Sequence, residues 1–152
     1  MLRVICPKKT KSFTLIELLL VLTIIGLLAA LILTMLSIAK RRALDGGIKA
    51  NLSQIRQEAN LIYTESNSYI APGNELCAPD NTLNENNPDH PNLARIEQEV
   101  MKRNGQQPVI CYATTDKYCV QSNLVSDGNL CIDFTGKVTT EATCSPSAFE
   151  CL

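Results

Sequence analysis

Between Phe13 and Ala39 the chain carries a 27-residue apolar run interrupted by a single charge, Glu17. At about 1.5 Å per helical residue the run is longer than the roughly 30 Å of hydrocarbon in a bilayer. Overall composition conceals it, because a hydrophobic content of 45% and a formal net charge of -1 average over two unlike segments. A secretory signal would have a shorter apolar core and a small-residue cleavage site after it. Here the order is reversed: Arg3, Lys8, Lys9, Lys11 and the small residue Ser12 precede the run. The segment therefore reads as a retained anchor with a basic leader.

Charge alone does not orient this anchor, since Lys40, Arg41 and Arg42 close its far end and compete with the leader. The cysteines decide it. Cys6 lies in the leader, whereas Cys77, Cys111, Cys119, Cys131, Cys144 and Cys151 lie in the polar part. An even set behind a membrane segment predicts disulfides formed outside the cytoplasm, which leaves the leader on the cytoplasmic side. A zinc site is disfavoured, because no Cys-x-x-Cys pair occurs and the one histidine, His90, sits between Asp89 and Pro91 in a polar stretch.

From Ala43 onward fourteen acidic residues face seven basic ones, a net of -7. A domain of that sign is poorly suited to phosphate backbones, and direct nucleic-acid binding is not expected. An enzyme is not expected either. No nucleophile stands with a histidine partner, no paired carboxylates share an apolar helix face, and no phosphate loop is present.

A lone carboxylate near hydrocarbon costs a few kcal/mol and by default has a partner or a task. In this chain it belongs to a recognisable pattern. Lys11-Ser12-Phe13-Thr14-Leu15-Ile16-Glu17 resembles the cleavage and methylation motif of type IV pilins and type II secretion pseudopilins. Gly26 and Leu27-Leu28-Ala29-Ala30 continue in the family's manner, while Ser12 stands where the family usually has Gly and Thr34 where many members have Pro. The resemblance implies cleavage between Ser12 and Phe13 by a prepilin peptidase, N-methylation of Phe13, and a role for Glu17 in assembly. It further implies neighbouring pilin subunits, an inner-membrane assembly platform and membrane lipid as partners, with no cofactor.

Beyond the basic cluster, Leu44, Ile48, Leu52, Ile55, Ala59 and Ile62 recur at steps of three and four and share one helical face. The anchor helix is thus expected to run on to about Ser66, for a length of about 80 Å. Gly46-Gly47 is its weak point. A long loop to Asn92 follows, with Cys77 as its staple, and then a short helix from Leu93 to Arg103 with Asn92 as cap and Gly105 as stop. Strands are expected at Val109 to Ala113, Lys117 to Val125 and Asn129 to Phe134, forming an antiparallel meander. A three-residue first loop would set Cys111 opposite Cys119 and Tyr112 opposite Tyr118; the two cysteines could then bond across the hairpin, one of several options among the fifteen connectivities that six cysteines allow. Cys131 to Lys137 resembles a strand and turn near the end of many pilin-like chains, and Cys144 and Cys151 frame a closed C-terminal loop. Asp127, Asn129 and Asp133 could offer oxygens to calcium, as the resemblance to pseudopilins suggests, but turn chemistry accounts for them and no metal is expected.

The expected fold is α+β: a long N-terminal helix packed on a small antiparallel sheet, stabilised by disulfides as in pilins. Its divisions are a leader at 1–12, a membrane or filament-core helix at 13–39, an amphipathic extension at 40–66 and a globular head at 67–152. The expected function is a structural subunit of a type IV pilus or secretion pseudopilus. It would lie in the cytoplasmic membrane with its C-terminal domain outside, then in a surface pilus or periplasmic pseudopilus. The alternative is a membrane-anchored extracytoplasmic binding domain that does not polymerise.

Overall fold

The computed structural model describes residues 14–152. Helix α1 spans Leu15–Ser66, and two compact units divide the chain after Ile38. In the first unit every described residue is exposed, including Leu15, Ile16, Leu27 and Leu33. This stretch makes α1 long and apolar enough to cross a membrane.

The second unit, Ala39–Leu152, holds the core. Its helical part buries Ile48, Leu52, Ile55, Ala59 and Ile62, the stripe anticipated from the helical period. No break occurs at Gly46-Gly47, where α1 is continuous. Gly46 is exposed with open space around it. Gly47 is tight, since a Cβ there would lie 2.7 Å from Nη1 of Arg103.

After α1 the chain makes the two-residue strands β1 (Ile70–Ala71) and β2 (Asn74–Glu75) around the Pro72-Gly73 turn, with Gly73 at φ 83°. Helix α2 covers Asn92–Asn104 and buries Leu93, Ile96, Glu97 and Val100. Gly105 ends it in the left-handed conformation, φ 82°, as its position predicted. Asn92 is not the cap. Pro91 takes that place without a side-chain bond, and the Asn92 amide instead donates to Glu58 Oε1 at 2.9 Å.

A four-stranded antiparallel meander completes the unit: β3 (Ile110–Ala113), β4 (Tyr118–Asn123), β5 (Asn129–Asp133) and β6 (Val138–Thr140), in that spatial order. The first hairpin loop is one residue longer than expected. Thr114 N–H donates to Lys117 O at 2.8 Å, so Ala113 pairs with Tyr118, Tyr112 with Cys119 and Cys111 with Val120. That single step removes the expected Cys111–Cys119 and Tyr112–Tyr118 pairings. Strand β4 ends at Asn123 rather than Val125, because Val125 N–H turns to Asp45 Oδ1 at 2.6 Å. The Ser126 hydroxyl also donates to Asp45, so a buried carboxylate on α1 holds the β4–β5 turn.

Sheet, α2 and loop side chains close over the α1 stripe in one core that includes Leu76, Leu83, Tyr118, Val120, Leu130 and Ile132. Tyr69 links Tyr63 and Tyr118, with ring centroids 4.9 and 4.8 Å away. The β5–β6 turn rests on Gly136, whose φ is 82° and where a Cβ would meet Arg56 Nη2 at 2.6 Å. Two glycine substitutions should therefore act in opposite directions. Gly46→Ala is expected to stabilise the globular unit by up to about 1 kcal/mol through helix propensity. Gly136→Ala is expected to destabilise it by about 1–3 kcal/mol. Thermal unfolding of the full chain in detergent, followed by near-ultraviolet circular dichroism, reads both.

Candidate functional site

The start of α1 is built by Thr14 and Glu17. Thr14 N–H and its hydroxyl donate to Glu17 Oε2 at 3.0 and 2.9 Å, and Glu17 N–H donates back to Thr14 Oγ1 at 3.4 Å. This reciprocal capping box satisfies helix-end donors that would otherwise lack partners in an apolar setting. Both Thr14 bonds use Oε2, which leaves Glu17 Oε1 without a partner among the described residues. The expected cleavage residues Ser12 and Phe13 lie outside the described residues.

Further along the apolar segment the hydroxyls are absorbed by the helix itself. Thr23 donates to Leu20 O at 2.7 Å, Thr34 to Leu31 O at 2.8 Å and Ser37 to Thr34 O at 2.9 Å. Such bonding removes the penalty of a polar group in hydrocarbon. Glu17 is then the only residue between Thr14 and Ala39 whose polar capacity exceeds what the helix supplies.

Six cysteines form three disulfides: Cys77–Cys111, Cys119–Cys144 and Cys131–Cys151, with Cα separations of 5.5, 5.7 and 5.7 Å. Cys77 staples the long loop to β3. Cys144 and Cys151 do face each other in an isolated antiparallel bridge, but their sulfurs reach β4 and β5 instead of closing their loop. The Sγ atoms of Cys119, Cys131 and Cys144 lie within 4.8 Å of one another, a metal-like cluster explained by two adjacent disulfides. Of the residues considered for calcium, Asn129 and Asp133 stand at opposite ends of β5. Asp133 Oδ1 accepts from Thr135 N–H and hydroxyl at 3.0 and 2.6 Å, and Oδ2 from Cys151 N–H at 3.2 Å.

Two of the buried polar groups, His90 and Glu97, were not singled out by sequence patterning. His90 is 4% exposed, with Nδ1 at 2.9 Å from Glu58 Oε2 and Nε2 at 3.2 Å from Glu65 Oε2. Both ring nitrogens are thereby engaged, and the histidine ties the loop before α2 to α1. Glu97 is 2% exposed and accepts Val109 N–H at 2.7 Å on Oε1, while Oε2 has no hydrogen-bond partner among the described residues. Burial raises its pKa to about 7 against the opposing Val109 bond, with Glu85 and Asp80 adding repulsion. The one available signal was Glu97 standing on the α2 face of Leu93, Ile96 and Val100.

The family model for the prokaryotic N-terminal methylation motif matches residues 7–33, a motif typical of type IV pilin and pseudopilin proteins. No curated protein and no solved structure matches the chain. The fold is pilin-like α+β, a long N-terminal helix with a small antiparallel sheet and several disulfides.

For Glu97 the folded pKa lies above the unfolded one, so between about pH 4.5 and 7 the folded state holds more protons and stability falls as pH rises. Unfolding free energy should drop by up to about 3 kcal/mol across that window. Glu97→Gln should flatten the dependence, as measured by denaturant titration at pH 5 and 8. Non-reducing peptide mapping should recover the three cysteine pairs named above, and any Cys111–Cys119 peptide would contradict the observed hairpin register.

Proposed function

We propose that this chain is a pilin-like structural subunit of a type IV pilus or secretion pseudopilus. Prepilin peptidase cuts it between Ser12 and Phe13 at the cytoplasmic face and N-methylates Phe13. Residues 13–39 hold it in the inner membrane with the disulfide-bonded head outside the cytoplasm. An assembly platform then moves it into a filament beside neighbouring subunits. The observation that carries this reading is the methylation motif over residues 7–33 on an apolar segment of membrane length, residues 13–39, whose only charge is Glu17.

The chemistry of Glu17 supports it. Cleavage creates a positive amine on Phe13, four residues from the carboxylate, near the membrane surface. Between packed helices the low dielectric strengthens attraction between that amine on one subunit and Glu17 on the next. Glu17 Oε1, which the capping box leaves open, is the oxygen available for it. The pair fixes an axial register, and loss of either charge strands the other without a partner.

Glu17→Ala should reduce filament incorporation at least about tenfold, the scale of one lost charge pair, while the head retains its disulfides and melting temperature. N-terminal sequencing of the mature protein should begin at methylated Phe13. Wild-type filament yield from the Glu17→Ala chain, or an uncut leader in assembled material, would defeat the proposal.

A further inference from the structure

Apart from the processing segment, the globular unit carries a groove of about 730 Å³. That volume suits a small or short oligomeric ligand. Three segments line it: the loop from Ile70 to Pro88, strand β3 from Cys111 to Ala113, and the C-terminal loop at Pro146 and Phe149. All three are cross-linked. Cys77–Cys111 joins the loop to β3, and Cys144 and Cys151, on either side of Phe149, are bonded to β4 and β5. A groove tied in this way is formed before a ligand arrives, which lowers the ordering cost of binding.

Its chemistry is selective. Among the described residues no Lys, Arg or His lines it, and the one charged residue that does, Glu75, already accepts Gly73 N–H at 3.1 Å. An anionic ligand would find no cation there. Tyr112 and Phe149 supply partly exposed aromatic faces, while Asn81 and Asn86 supply exposed amides. Asn84 is already engaged, donating to Glu75 O at 3.1 Å and accepting Asn86 N–H at 3.2 Å. The Asn81 and Asn86 side chains and the Tyr112 hydroxyl make no hydrogen bond among the described residues.

Backbone conformation adds an independent sign. Phe149 sits at φ 59° and Asn81 at φ 64°, both left-handed. Asparagine tolerates that region, but a bulky aromatic rarely occupies it. Phe149 N–H donates to Ser145 O at 2.8 Å within the disulfide-flanked turn that keeps it there. Strain maintained at the edge of a groove points to contact with a ligand.

We propose that this groove binds a neutral oligosaccharide. Each free amide offers donor and acceptor side by side, matching adjacent sugar hydroxyls. The aromatic rings match the C–H faces of pyranose rings, and the absence of cations matches a ligand without charge. An extended peptide fits less well, because Asn81 O already takes the outward Cys111 N–H of β3 at 2.8 Å, the group that strand addition would use.

The test uses the full chain in a detergent without a sugar headgroup, titrated with chitotriose, maltotriose and N-acetyllactosamine by saturation-transfer NMR and calorimetry. At least one sugar should bind saturably, and Phe149→Ala and Asn86→Ala should each weaken it about tenfold, the scale of one stacking or hydrogen-bonding group. Asn86 is exposed and its side chain has no partner, so its replacement leaves the fold intact even if Phe149→Ala disturbs the turn. Failure of every sugar to saturate overturns the proposal. So does binding that Asn86→Ala and Phe149→Ala leave unchanged, or a proline-rich peptide that saturates the groove where the sugars do not.

Discussion

The burial of one face of α1 between Asp45 and Ile62 is the constraint on which the globular unit depends. Ile48, Leu52, Ile55, Ala59 and Ile62 are each at most 1% exposed, and a fully buried aliphatic side chain contributes about 1.5–3 kcal/mol. The same face carries Asp45, Asn51 and Glu58, also buried. A polar group buried there is costly without a partner, and Asn51 Nδ2 has none among the described residues. Asp45 finds the β4–β5 turn, and Glu58 finds His90 and Asn92 from the segment that leads into α2. Apolar residues thus supply most of the adhesion, and the acids among them determine which loops dock where.

That division explains what could be read in advance. The apolar stripe follows a 3.6-residue period, so α1 and the buried face of α2 are visible to anyone counting positions. Gly105 ends α2 through a conformation that favours glycine, and Asp127-Gly128 lies in the β4–β5 turn, Gly128 at φ 85°. Partnerships across long stretches of chain leave no such trace. His90 looks like a loop residue because its carboxylates lie 32 and 25 positions away. The first hairpin was displaced by one residue because Thr114 closes a four-residue loop through its backbone and hydroxyl bonds to Lys117. Strand β6 escaped notice for a plainer reason: Val138–Thr140 is three residues long and only half buried at its centre.

Disulfides enter where the helix stripe cannot reach. The segment between α1 and α2 has only two two-residue strands of regular structure, and Cys77–Cys111 binds it to the sheet. The C-terminal loop beyond β6 has no regular element, and two bonds fix it to neighbouring central strands. Small domains lacking enough core commonly use such staples. Here they also explain how Phe149 can keep a left-handed backbone, since both ends of its loop are anchored to the sheet. The same cross-links that complete the fold therefore give the groove beside it a fixed shape.

Two glutamates on one helix show how environment assigns their roles. Glu58 lies among partners from its own chain, with His90 on one oxygen and Asn92 on the other. Its charge is answered within the subunit, and it serves the fold. Glu17 has only Thr14, on a single oxygen, and no long-range contact reaches it among the described residues. In water that would be of little consequence. In the membrane setting proposed above it matters, because a carboxylate beside hydrocarbon costs a few kcal/mol and calls for a partner. Within the proposed filament that unmet capacity would make a neighbouring subunit's amine a stabilising partner, and the role proposed for Glu17 beyond capping α1 is therefore in assembly.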